Sequence, residues 1–140
     1  MILLDTNVIS ESMRKAPEPN VIVWIDAQPL ETLYLSAISV AELRYGVASL
    51  PTGKRRDALR QQLERRVLSL FTGRVLPFDV GASQAYADLM ARARAEGQMI
   101  GTSDGYIAAT AAANGMIVAT RDTAPFVAAA IEVIDPWTAP

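Results

Sequence analysis

The chain of 140 residues contains neither cysteine nor histidine. Without Cys it has no disulfide and no thiolate chemistry, which suits a reducing compartment. The missing imidazole excludes more: the usual zinc sites, Cys-His and Ser-His-Asp nucleophiles, and any nuclease that uses paired histidines as acid and base. Chemistry on this chain is left to carboxylates, hydroxyls, Lys, Arg or a metal bound through oxygen.

Lysine is scarce as well, occurring only as Lys15 and Lys54. Phosphoacceptor receiver domains also collect Asp at strand ends, but they need a late Lys that this chain lacks. No G-x-x-x-x-G-K-S/T or G-x-G-x-x-G follows an apolar strand, so ATP and NAD are not expected. No apolar run is long enough to span a bilayer. Asp5 interrupts the first such run before the apolar segment of a signal peptide could form. A cytoplasmic protein is expected.

What is present is a hydrophobic content of 51%, enough for one domain over residues 1–140 to bury a real core. The stretch from Thr102 to Asp122 organises the rest. Thr102 and Ser103 are expected to cap a helix with Asp104 in its first turn, where the helix dipole favours negative charge. Tyr106 to Ala113 is Ala-rich and can lie close to a sheet, and Asn114-Gly115 supplies a left-handed stop. Met116 to Ala119 then reads as a strand buried on both faces, with Asp122 just past its carboxyl end. The same syntax opens the chain: Met1 to Leu4 as a strand, then Asp5-Thr6-Asn7 before a helix. Two strands thus deliver Asp5 and Asp122 to one edge, where open parallel sheets bind ligands.

Between these segments the expected elements are helices over 7–15 and 21–26, a strand over 33–36, and a helix capped by Ser39 with Val40, Leu43 and Val47 on one face. A charged helix over 54–71 repeats Leu59, Leu63, Val67 and Leu70. An edge strand over 75–78 and helices over 80–95 and 124–129 follow, with a last strand over 132–134. Strands alternating with helices indicate an α/β domain with a mostly parallel central sheet and helices on both faces.

Asp5, Glu42, Asp104 and Asp122 could converge on one edge. Clustered carboxylates repel, and a hard cation such as Mg²⁺ or Mn²⁺ would keep them ionised. Ordinary roles fit the same pattern: caps for Asp5 and Asp104, a turn for Asp122, a solvated helix position for Glu42. Set against thirteen Lys and Arg, the fifteen acids less these four leave eleven, a balance that permits nucleic acid. Lys54, Arg55, Arg56, Arg60, Arg65 and Arg66 could track a phosphate backbone or form a solvated face. Tyr45, Tyr86, Tyr106 and Trp24 lie on apolar helical faces and read as core.

Four ordered segments, MILLDTNVISE, SAISVAELRYG, SDGYIAATA and VATRD, resemble the signature segments of PIN-domain proteins. Within that superfamily the chain is similar to VapC-type toxins of VapBC toxin–antitoxin pairs, and RVLPFD, DGYIAATA, VATRDT and the Pro-Trp ending resemble those of one subgroup. The resemblance implies a Rossmann-like, three-layer α/β/α PIN domain. It further implies an endoribonuclease whose catalytic and metal-binding quartet falls on Asp5, Glu42, Asp104 and Asp122, with Mg²⁺ or Mn²⁺ as cofactor. Thr6, Ser39 and Thr120 are implied as polar neighbours of the metal. Many relatives carry Asn in place of Asp122 and an acid where Pro125 stands here, so the fourth acid rests on Asp122 alone. A homodimer and a DNA-binding antitoxin that plugs the acidic groove are implied as well. The alternative is a module without turnover, whose acidic pocket receives an antitoxin peptide within a DNA-bound regulatory complex.

Overall fold

The structure is a computed structural model and describes residues 1–139. Five short strands form one sheet: β1 (Ile2–Leu4), β2 (Leu33–Ser36), β3 (Val75–Leu76), β4 (Ile117–Ala119) and β5 (Val133–Ile134). Their order is β3-β2-β1-β4-β5, and every neighbouring pair is parallel. From β1 the chain crosses to β2 on one side, while β4 pairs on the other. The switch point therefore lies between the carboxyl ends of β1 and β4, where such sheets open a crevice.

Strand β1 is buried on both faces, and its pleat sends neighbouring residues into different layers. Ile2 and Leu4 join a core with Val8, Val21, Trp24, Val40, Leu43, Val47, Leu63 and Phe71. These come from helices α1 (Thr6–Ser12), α2 (Pro19–Asp26) and α3 (Ala37–Ala48), and from the chain that continues α4 (Lys54–Gln61). Leu3 joins the opposite core with Leu89, Ile107, Ala108, Ala111, Val118 and Phe126, built from α5 (Val80–Ala95), α6 (Thr102–Ala113) and α7 (Ala124–Ala128). Each large side chain withdrawn from water contributes roughly 1.5–3 kcal/mol, so the two layers hold the sheet from both sides.

The Ala-rich face of α6 allows a close crossing with α5. A methyl group on Gly105 would stand 2.9 Å from Met90 Sδ and 3.1 Å from the Tyr86 ring. A side chain at 105 would have to displace the Met90 thioether and the Tyr86 ring where α5 and α6 cross, one residue after Asp104. Asn114 caps the end of α6, and Gly115 takes the left-handed φ of 64° as expected.

Several boundaries differ from the sequence reading. The cap of α6 is Gly101, and neither Thr102 nor Ser103 caps it with a side chain; Ser103 Oγ is buried without a partner among the described residues. Ser39 is not the cap of α3 either. Ser36, at the end of β2, accepts from the Ser39 N–H at 3.0 Å, so the helix starts directly off the strand. Helix α1 ends at Ser12, the edge strand shrinks to Val75–Leu76, and the last strand excludes Glu132. The charged helix after Gly53 widens over Gln62–Val67 and tightens over Leu68–Phe71. That change of pitch rotates the apolar face, so Phe71 is buried and Leu70 is half exposed. The basic side chains of this segment are solvated, with only Arg56 partly covered. Tyr45, read as core, is 75% exposed, whereas Trp24 is buried and Tyr86 and Tyr106 pack edgewise on Phe78. No helix among the described residues is long and apolar enough to cross a membrane.

Candidate active site

Asp5 emerges from β1 in extended backbone and caps α1, its Oδ1 accepting from the Thr6 N–H at 2.8 Å. Its other oxygen accepts from the Thr120 hydroxyl at 2.8 Å, across the switch point from the end of β4. Thr120 is fully buried, and its oxygen in turn accepts from Asn7 Nδ2 at 3.2 Å and the Asp122 N–H at 3.0 Å. Asn7 Oδ1 accepts from the Arg121 N–H. One hydroxyl and one amide therefore tie the ends of β1 and β4 together.

A second set of hydroxyls reaches Glu42 on α3. Thr6 Oγ1 stands 2.7 Å from Glu42 Oε1 and 2.9 Å from Ser39 Oγ, which is 3.3 Å from Ser36 Oγ. A hydroxyl has one hydrogen, so Thr6 donates to the carboxylate and accepts from Ser39. Glu42 itself is solvent-exposed.

Asp5, Glu42, Asp104 and Asp122 all line one cleft of about 460 Å³, together with Thr6, Asn7, Ser10, Glu11, Arg14, Arg121 and Trp137. Helix α6 contributes Asp104 from its first turn, and the turn after β4 contributes Asp122. Burial pushes the Asp5 carboxyl up to about 6; the Thr120 and Thr6 hydrogen bonds oppose this, and Asp104 and Glu42 add repulsion. Asp104 is raised by burial first, then by Asp122 and Glu42. Electrostatic repulsion thus links all four acids, although among the described residues no three acidic side chains stand where they could hold one ion together.

The donor set is nonetheless one that a hard cation accepts: oxygen only, with Asp5 and Asp104 covered enough that burial and neighbouring charge disfavour their anions. Mg²⁺ is commonly held by one or two carboxylates with retained waters, which does not demand a closed cage. The chemistry of the residues fits such an ion.

Sequence reasoning passed over Asn7, Ser36 and Glu11. Asn7 lay inside the quoted Asp-Thr-Asn, and Ser36 ended a strand, so both had a local signal. Glu11 is a buried acid in the cleft wall, but it is already engaged. It accepts from the Glu18 N–H at 3.1 Å and pairs with Arg14 at 3.2 Å, and the Glu18 amide, then Arg14, hold its carboxyl below the usual range. From α1 it holds down the turn that leads into α2.

A parallel α/β sheet with clustered acids at its switch point defines a class, and comparison with known proteins narrows it. The family model for the PIN domain matches residues 2–132. The chain is 61% identical to the VapC ribonuclease Y4jK of Sinorhizobium fredii, over 98% of each protein. It is 52% identical to Toxin FitB of Neisseria gonorrhoeae, over 98% of this chain and 99% of the relative. The solved structure of FitAB bound to an IR36 DNA fragment superposes with a TM-score of 0.96 at 50% identity, covering 100% of this chain and 98% of that one. The chain belongs to the PIN-domain family, and its likeness to VapC and FitB proteins runs over its full length.

Proposed function

We propose that the chain is the toxin of a type II toxin–antitoxin pair and acts as a metal-dependent endoribonuclease at the cleft lined by Asp5, Glu42, Asp104 and Asp122. The observation that carries this reading is the state of Asp5: a buried carboxylate oriented by two donors, yet raised to about 6 by its surroundings. Such a group gains when a cation arrives. The relatives named as a ribonuclease and a toxin support the activity and the biological role.

Asp5 and Asp104 would hold the ion, with Glu42 and Asp122 completing or orienting its surroundings. Mg²⁺ or Mn²⁺ bound there would supply charge neutralisation and a water acidic enough to attack a phosphodiester. The Thr6 amide and the Thr120 hydroxyl each hold one Asp5 oxygen, and the Thr6 hydroxyl holds Glu42. The exposed mouth at Glu42 and Asp122 admits the RNA strand.

The test is cleavage of a structured RNA panel by the purified, antitoxin-free chain with Mg²⁺, with Mn²⁺ and with EDTA, beside Asp5→Asn. Cleavage that needs both metal and Asp5 is the expected result. Full activity of Asp5→Asn or Asp104→Asn would falsify the assignment.

A second reading is favoured by a groove of about 1040 Å³ between α1, α3 and α4, lined by Met13, Leu43, Val47, Leu59 and Leu63. It shares Ser10, Arg14 and Glu42 with the acidic cleft, so a partner segment could lay apolar side chains along it and end with a cation among the acids. On this reading the antitoxin occludes the site, the complex assembles on DNA as the FitAB relative does, and capture of the antitoxin is the main activity. Folded, metal-loaded protein that cleaves no RNA, combined with antitoxin binding weakened by Asp5→Asn, would favour it over turnover. The homodimer expected of this family is tested by light scattering on the antitoxin-free chain.

A further inference from the structure

The mouth of the acidic cleft carries positive charge that the four acids do not explain. Arg121 leaves β4 between Thr120 and Asp122, and its guanidinium carbon lies 5.3 Å from the centre of the Trp137 ring. Both side chains line the cleft, and Arg14 lines it from the chain just past α1. Arg14 is engaged by Glu11, whereas Arg121 makes no ion pair among the described residues. The platform beneath Arg121 is anchored. The Trp137 backbone N–H donates to Asp135 Oδ1 at 2.9 Å, Asn20 Nδ2 donates to the Trp137 carbonyl at 3.1 Å, and the ring packs against one of the two cores. A guanidinium resting on an aromatic face is ordered in advance, keeps N–H donors for an oxyanion and presents a second flat face to solvent.

We propose that Arg121, seated on Trp137, is a substrate-binding residue that grips a backbone phosphate of single-stranded RNA next to the one being cut. The stack orders the adjoining nucleotide, since bases pack on guanidinium planes as they do on aromatic rings. This rests on the nuclease reading above. Charge selects the occupant: a cleft shaped only to receive a cationic peptide side chain gains nothing from a fixed guanidinium at its mouth. A polyanion approaching four carboxylates needs one to offset their repulsion.

The test uses the full-length chain with Asp5→Asn to stop turnover; Asn remains a good helix cap. A fluorescein-labelled single-stranded oligoribonucleotide is titrated by anisotropy in Mg²⁺ across a salt series, and cleavage kinetics of the Asp5 chain run beside it. Arg121→Ala is expected to weaken binding about ten-fold and to lower the salt slope by about one. It should raise KM more than it lowers kcat, with no change in melting temperature because the side chain is exposed. Arg121→Lys restores the salt slope but not the full affinity, because an ammonium does not stack flat.

Arg121→Ala matching its parent in affinity, slope and KM would overturn this subsite and leave the nuclease reading standing. A chain with Asp5 intact that neither cleaves nor binds the RNA would overturn both. An Arg121→Ala effect confined to capture of an arginine-bearing antitoxin peptide would assign the residue to the protein partner and sink the proposal.

Discussion

The two walls of the cleft are built in opposite ways. On the β1 side Asp5 is 5% exposed, and each of its oxygens accepts a hydrogen bond of 2.8 Å. On the α6 and β4 side, Asp122 is exposed, and neither its carboxylate nor that of Asp104 accepts a hydrogen bond among the described residues. One wall is set before anything binds; the other is free to adjust. That contrast accounts for four acids lining one cleft without three of them forming a ready ion cage. On the proposed reading, the held oxygens would define where a cation sits, and the free ones would close on it together with water.

The sharpest way to break this contrast is to compare Asp5→Asn with Asp122→Asn. Losing the held carboxylate should slow metal-dependent RNA cleavage about a thousand-fold or more, since metal-assisted charge stabilisation is worth several kcal/mol. Asp122→Asn should cost about ten-fold, in the range of residues that tune an ion from nearby. Single-turnover rates at saturating Mg²⁺ measure both; equal losses would mean the walls are equivalent once loaded.

Thr120→Val removes the hydroxyl that orients Asp5 and also strands the Asn7 amide and the Asp122 N–H. Mg²⁺ affinity, read by calorimetry, should fall about 10–100-fold. Ser39→Ala, which reaches only Glu42 and does so through the Thr6 hydroxyl, should change it less.

The pH dependence of stability separates the walls without any substrate. The Asp5 carboxyl is raised from 3.8 to about 6 in the fold. Its protonated form is therefore the favoured one, so its contribution is complete below about pH 4 and is lost as pH rises through 6. Across that window the metal-free protein should lose on the order of 2–3 kcal/mol at this site. Asp104, raised as well, acts with the same sign. Urea melts in EDTA should show the loss, Asp5→Asn should flatten it, and Mg²⁺ at pH 8 should restore stability to the parent but not to Asp5→Asn.

The smallest effect is expected from a pair that does not line the cleft. Arg44 and Glu64 form a two-pronged pair, with Nε to Oε1 at 2.7 Å and Nη2 to Oε2 at 3.0 Å, on a solvated surface. Glu64→Ala should cost less than about 1 kcal/mol by thermal melting and leave cleavage unchanged.

The alternation of strand and helix was legible because short apolar runs and caps are local signals. Val80–Ala95 was read with the bounds the structure has, between the Asp79 cap and Gly97. Where the reading slipped, a tertiary contact decided. Gly101 stands at the start of α6 although Thr and Ser follow it, and the buried Ser103 hydroxyl does not cap the helix. The pitch of the chain after Gln61 changes so that Phe71 reaches the core, which no fixed helical period could anticipate.

The sequence by itself determined the kind of chemistry available, since a chain without His or Cys offers neither imidazole nor thiolate and leaves a hard cation to carboxylates and hydroxyls. It also determined which acids follow strands or start helices, because strand, cap and stop are written within a few neighbouring residues. Only the tertiary structure decided that Thr120 donates to Asp5 and Thr6 to Glu42, and that Arg121 rests on Trp137. It also decided that Glu11 is spent on a turn. Those relations join residues as many as 115 positions apart, and burial, which raises one carboxyl and leaves another in water, exists only after the layers have packed.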